Sequence, residues 1–172
     1  MTPFMNKIKI SVTSKSVTVN GHTWSVAPSI EELCRALGAH DLTDGSDVIV
    51  DKKPSSKFRY FDEFGIGILE SIPGAKVTRI TVFMHAPPPK RKPISPYGNT
   101  GQRRTATEFL GLLELNGRQL KSPVKFTQFP VKGDLLFINR MAWGSAVEAS
   151  VAVDSGFVEH VSLFLKDVNN CQ

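Results

Sequence analysis

Cysteine is nearly missing from this chain: there are two in 172 residues, Cys34 on an apolar helical stripe and Cys171 one place from the end. Such scarcity excludes a disulfide framework, and two free thiols are the expectation. Histidine is also sparse. His22, His40, His85 and His160 stand far apart, with no His-x-x-x-His pair and no Cys-x-x-Cys unit, so local spacing writes no metal site. Long apolar runs are absent as well. None approaches the ~18 residues of a membrane span, and the opening Met1–Ile10 has no unbroken apolar stretch after its basic residues. A cytosolic protein without a membrane partner is therefore expected. The nucleophile patterns Gly-x-Ser-x-Gly and Ser-x-x-Lys are missing, as is a Walker A loop. Gly65-Ile66-Gly67 lacks the third glycine and the following helix that a dinucleotide requires. Neither an enzyme nor a cofactor is expected.

What is present is an ordinary globular composition, 41% apolar and 22% charged, with its net charge in one place. Residues 87–104 carry five of the 21 basic residues (Lys90, Arg91, Lys92, Arg103, Arg104), Tyr97 and four prolines besides Pro87, and none of the 16 acidic residues. Elsewhere the two signs balance, so the net charge of +5 belongs to this loop. A body without net charge argues against a broad nucleic-acid-binding surface. The loop has three readings: a solvated connector, a phosphate contact with Tyr97 as a stacking platform, or a docking element for an acidic protein.

Strand signals dominate the rest. Lys7–Val12 alternates, and Val17–Val26 is a hairpin around Asn20-Gly21, a pair that accepts a type I′ turn. One helix is predicted at 29–37. Ser29 and Glu32 form a capping box, Ile30, Leu33, Cys34 and Leu37 make the stripe, and Gly38 ends it. A loop at 38–47 is expected next. Its Asp41–Asp47 portion has acids at the wrong offsets for a calcium loop and Lys52 at the position needing a bidentate Glu, so it reads as a turn. Strands are predicted at 48–51, 58–61, 65–71, 76–85, 107–115, 124–129, 135–140, 146–153 and 157–165. Trp24, Leu33, Ile80, Val82, Phe137, Val161 and Leu163 are the predicted core.

The second half echoes the first. Leu115-Asn116-Gly117 matches Val19-Asn20-Gly21, and the strand from Val158 matches the one from Val77. The expectation is one domain, 1–172, of α+β class and predominantly antiparallel β. It has two packed sheets from two pseudo-repeat halves, 7–86 and 105–167, joined by the basic loop.

Arg59–Leu69 is the most distinctive stretch: Asp62 and Glu63 sit between aromatic residues, ahead of Gly65-Ile66-Gly67. A Gly-rich strand marks a bulge or a close backbone approach. As a general acid/base pair the two carboxylates are poorly suited, because neighbours in a strand face opposite ways. One is expected to support the Gly65 bend and the other to face solvent or a partner.

Together these elements carry a resemblance. The Asn20-Gly21 hairpin, the helix ending Leu33-x-x-x-Leu37-Gly38, Tyr60, Asp62, Glu63, Gly65 and Ile66, and then Val77, Ile80 and Phe83 resemble a group of small bacterial proteins encoded beside secreted toxins. Such neighbours are commonly immunity proteins of contact-dependent or type VI secretion systems. The likeness covers 7–84 and, loosely, 105–167, while the basic loop departs from it. It implies a non-enzymatic protein that occludes one cognate toxin, with Asp62, Glu63, Lys90, Arg91, Lys92, Tyr97, Arg103 and Arg104 as candidate contacts. The alternative is a nucleic-acid-binding module that uses 90–104.

Overall fold

The structure is a computed structural model that describes residues 8–39, 41–72, 74–84, 105, 107–120, 123–128, 136–138, 141–154 and 156–167. The alternating stretches fold as β1 (Lys9–Val12), β2 (Val17–Val19), β3 (His22–Trp24), β4 (Thr43–Val50), β5 (Lys53–Phe61), β6 (Ile66–Ser71), β7 (Val77–Phe83), β8 (Leu112–Leu115), β9 (Arg118–Leu120), β10 (Leu136–Ile138), β11 (Met141–Trp143), β12 (Val147–Asp154) and β13 (Phe157–Leu165). Helix α1 spans Ile30–Leu37, and a single 3-10 turn covers Phe126–Gln128.

The strands form two sheets, of order β3-β2-β1-β8-β9 and β10-β11-β12-β13-β7-β6-β5-β4. Every named ladder is antiparallel except β1 with β8, which pairs Lys9–Val12 in parallel with Leu112–Leu115. The smaller sheet supplies Ile10, Val12, Val17, Val19, Leu113 and Leu115 to the core. The larger supplies Ile66, Ile68, Ile80, Val82, Val161 and Leu163, and the helix adds Leu33, Ala36 and Leu37. The α+β class, the two packed sheets and the helix at 29–37 are as the sequence implies.

Local chemistry explains the connections. Asn20 and Gly21 take φ of 47° and 87°, as a type I′ turn requires. The Asn20 side chain adds long-range ties: Oδ1 accepts from Lys9 N at 2.9 Å, and Nδ2 donates to Ala36 O at 3.0 Å. The hairpin is thus fastened to the last turn of the helix. At the other end of α1, Ser29 Oγ accepts from Glu32 N at 3.1 Å and Glu32 Oε2 accepts from Ser29 N at 2.7 Å. The reciprocal pair satisfies amides that a helix start otherwise leaves open.

Several expectations need correction. Residues 43–47 are strand, since β4 pairs Thr43 with Tyr60 and Asp44 with Arg59. Residues 107–111 are irregular, and β8 starts only at Leu112. The stretch from Val124 forms the 3-10 turn, and β11 was not foreseen. Trp24 is only partly buried against the core, whereas Leu33, Ile80, Val82, Val161 and Leu163 are at most 1% exposed. The side chain of Phe137 lies outside the described residues. Nor does each half build its own sheet, because both sheets draw strands from both halves.

The large sheet is symmetric in its order. Two four-stranded meanders, β4–β7 and β10–β13, meet along β7 and β13. Carrying the Val77–Val158 match along the strands sets Thr81 against Ser162. Those two residues face each other in the ladder, flanked by Ile80–Leu163 and Val82–Val161. Their hydroxyls are 3.0 Å apart and buried.

Candidate partner-binding surfaces

Asp62 and Glu63 lie in the turn 62–65 between β5 and β6 rather than inside a strand, so strand alternation does not govern them. Glu63 is exposed and Asp62 half-buried. The backbone carbonyl of Asp62 accepts from Thr107 Oγ1 at 2.5 Å. Gly65 follows with φ of 70°. A Cβ there would stand 2.5 Å from the Glu108 carbonyl carbon and 2.7 Å from Phe109 Cα. The close backbone approach expected of this glycine run is therefore at Gly65. Phe109 N donates to Phe83 O at 2.7 Å, and Phe83 N to Gly65 O at 3.0 Å. The turn is a clamp on the segment 107–110. Lys90, Arg91, Lys92, Tyr97, Arg103 and Arg104 lie outside the described residues.

Two other surfaces carry chemistry. The first is the face of the large sheet opposite the core. One rung runs Tyr60, Gly67, Thr81, Ser162 and Ser150 across β5, β6, β7, β13 and β12. The neighbouring rung runs Phe58, Leu69, Arg79, Phe164 and Glu148. Gly67 leaves a gap that aromatic rings fill: a Cβ there would come 3.1 Å from Phe83 Cε2 and 3.3 Å from Tyr60 Cδ1. Tyr60 and Phe83 are consequently buried, and Phe58 is buried as well, although none of the three belongs to the main core cluster. The Arg79 guanidinium lies 5.0 Å from the Phe58 ring centre and 5.8 Å from that of Phe164. Desolvation holds its pKa below the usual arginine value, a shift partly offset by Tyr60.

The second surface is the tip of the β4–β5 hairpin. Asp51 and Lys52 both take positive φ, 51° and 65°, which closes a two-residue turn at the cost of backbone strain. Beside it Ile49 and Val50 are 57% and 53% exposed. Ile72, at 41%, joins the same end through its amide, which donates to Ser55 O at 2.9 Å. Farther along the hairpin, Asp44 pairs with Lys57 at 3.1 Å and with Arg59 at 3.2 Å, and Arg59 also reaches Glu70 at 3.1 Å. The Lys57 hydrogen bond is the main cause that lowers the Asp44 pKa. These ions fasten β4 to its neighbour. Cys34 is half-buried, and desolvation raises its thiol pKa, which disfavours the reactive thiolate. Among the described residues no group of three His, Cys, Asp or Glu is placed to hold a metal ion, and no helix is long and apolar enough to cross a membrane.

Residues 9–129 match the family model described as Domain of unknown function (DUF7738), a span that takes in both strands of the parallel pair and the whole first meander. The chain belongs to the DUF7738 family. No curated protein and no solved structure matches it. The family span covers Asp62, Glu63, Arg79, the hairpin tip and the basic loop, and it stops short of β10–β13.

Arg79 and the hairpin tip are the residues that sequence reasoning passed over. A usable signal existed for Arg79, the one charged residue in a strand otherwise made of apolar residues and threonine. For the tip, Ile49 and Val50 read as ordinary strand residues, and only the structure shows that nothing described covers them.

Proposed function

We propose that this protein is a binding protein without catalytic activity, which neutralises a cognate antibacterial toxin by occluding it. The observation that carries a protein partner is the exposure of Ile49, Val50 and Ile72 at one end of the large sheet. As strand neighbours Ile49 and Val50 face opposite ways, so a partner that covers both would wrap the hairpin tip, with Lys52 and Lys53 as a charged rim. The hairpin that presents them is braced by the Asp44–Lys57 and Asp44–Arg59 pairs, so little ordering would be needed on binding. The toxin as partner rests on the resemblance carried by the hairpin, helix and Asp62–Gly65 turn. On the same reading the protein acts in the cytoplasm, as one domain whose halves, 7–86 and 105–167, are degenerate copies. Support for the copies comes from the mirrored strand order and the Thr81–Ser162 pairing. The basic loop would steer encounter with an acidic partner.

The test is to express each gene flanking this one in a host, with and without this protein, and to isolate any complex. One neighbour should arrest growth and be rescued with a stable complex. Ile49→Asp with Val50→Asp should then speed dissociation. Serine at positions 90, 91, 92, 103 and 104 should mainly slow association. If no neighbour is toxic, or rescue occurs without a complex, the reading fails. Micromolar binding to random-sequence RNA or DNA at physiological salt, lost in the serine variant, would instead establish the nucleic-acid module.

A further inference from the structure

Arg79 stands in the middle of an eight-stranded sheet, on the face turned away from the core, between the rings of Phe58 and Phe164. Its Nε is buried and has no hydrogen-bond partner among the described residues. None of the ion pairs among the described residues includes it, although Lys9, Lys57 and Arg59 all have carboxylates. Unpartnered buried donors are rare in folded proteins, and a charged one is the costliest kind. Ring contacts offset part of this cost, but an N–H···π contact is much weaker than a hydrogen bond to oxygen. The Nε donor is therefore left for an acceptor, and it shares the guanidinium plane with the Nη groups.

The surroundings restrict what that acceptor can be. Guanidinium and carboxylate match as planar two-point partners, and a nearby low-dielectric wall strengthens the pair. On the same rung Phe58 lies beyond Leu69 and Glu148 beyond Phe164, and the side chains directly beside Arg79 are Leu69 and Phe164. They favour an apolar body next to the charge. Thr81 and Ser162, on the adjacent rung, already satisfy one another. With a single cation at the centre, the site balances one negative charge, and a phosphate dianion would be left half-compensated. Phe164 is only partly buried whereas Phe58 is 2% exposed, so entry is from the Phe164 side.

We propose that Arg79, Phe58 and Phe164 form a binding site for a monocarboxylate carried on an apolar group. This assignment is independent of any toxin. The ligand forms a two-point hydrogen bond to the Arg79 fork while its apolar body packs on Phe164 and Leu69.

The experiment uses the whole chain and sodium benzoate as the probe. The Arg79 Nε–Hε resonance, assigned through its own backbone, is followed by NMR at fixed ionic strength during separate titrations with benzoate, inorganic phosphate and chloride. Benzoate should shift that resonance, and the backbone amides of Thr81 and Phe164, along one saturable curve. Phosphate and chloride should not. Arg79→Lys keeps the charge but loses the fork, and should weaken benzoate binding by about tenfold or more. Linear, unsaturated shifts with benzoate would overturn the proposal. So would saturation by phosphate alone, or a folded Arg79→Lys variant, judged by its dispersed amide spectrum, that binds benzoate as tightly as the parent.

Discussion

Replacing Gly65 with Ala tests whether the Asp62–Gly65 turn really clamps the segment around Phe109. Two separable penalties are expected. The first is conformational: Gly65 sits at φ of 70°, where an L-residue with a Cβ costs about 1–2 kcal/mol. The second is steric. The new Cβ would stand 2.5 Å from the Glu108 carbonyl carbon and 2.7 Å from Phe109 Cα. Backbone, unlike a side-chain tip, cannot swing aside, and such overpacking costs roughly 1–3 kcal/mol. The total should be roughly 2–5 kcal/mol. Gly38 supplies the control, because its φ of 65° is nearly the same and no described residue comes within 4 Å of its added Cβ. Gly38→Ala should therefore show the conformational part alone, about 1–2 kcal/mol. The assay is equilibrium urea unfolding of the parent and the two variants, compared at equal m. If the two variants differ by less than ~0.5 kcal/mol, the scatter of an ordinary surface change, the close approach of Phe109 to Gly65 is refuted.

Two further outcomes are expected. Leu33 is 1% exposed at the centre of the helix stripe, so Leu33→Ala should cost roughly 2–5 kcal/mol in the same urea assay, and less than ~1 kcal/mol would contradict its burial. The Ser29 backbone hydrogen bond lowers the Glu32 pKa below 4.5, as the Lys57 hydrogen bond lowers that of Asp44 below 3.8. Each carboxylate thus contributes stability that is present above these values and lost as pH falls through the lower folded-state pKa. A thermal-melting series from pH 6 to pH 2 should show a shallower acid decline for Glu32→Gln than for the parent, and superimposable slopes would show that ionisation of Glu32 adds nothing to stability.

The parts legible in the sequence are those whose local chemistry and tertiary role agree. The Asn20-Gly21 turn, the Ser29–Glu32 box with Gly38, and strands β7 and β13 were all read correctly, because propensity, capping and alternation there point one way. The misses are places where distant partners override the local pattern. Asp44-Gly45-Ser46-Asp47 has the composition of a turn, yet it lies in a strand held by Lys57 and Arg59 from the next one. Gly45 is needed there because a Cβ would meet Tyr60 Cε2 at 2.5 Å. Thr107–Gly111 alternates passably but is drawn off the ladder by Phe109, which docks at Gly65. Of the candidate site, only the Asp62–Gly65 turn was visible beforehand. Arg79 escaped because nothing in its local sequence shows that the outward face of this strand is covered, and here Phe58, Tyr60 and Phe83 keep much of it dry.

The parallel ladder between β1 and β8 bears on how the chain is made. Lys9–Val12 emerges early in synthesis, but its partner Leu112–Leu115 follows only after the entire first meander. Until then one edge of β1 can pair with β2, and the other shows its amides and carbonyls to whatever is nearby, the hazard of any open strand edge. Contacts so far apart in sequence close slowly, since a long loop must lose its freedom before they form. The nascent chain should therefore pass through a stage in which its first meander and helix are formed while the smaller sheet is unfinished. Chaperone capture, misassembly with a second nascent copy and proteolysis should all concentrate in that interval, which ends when Leu115 clears the ribosome.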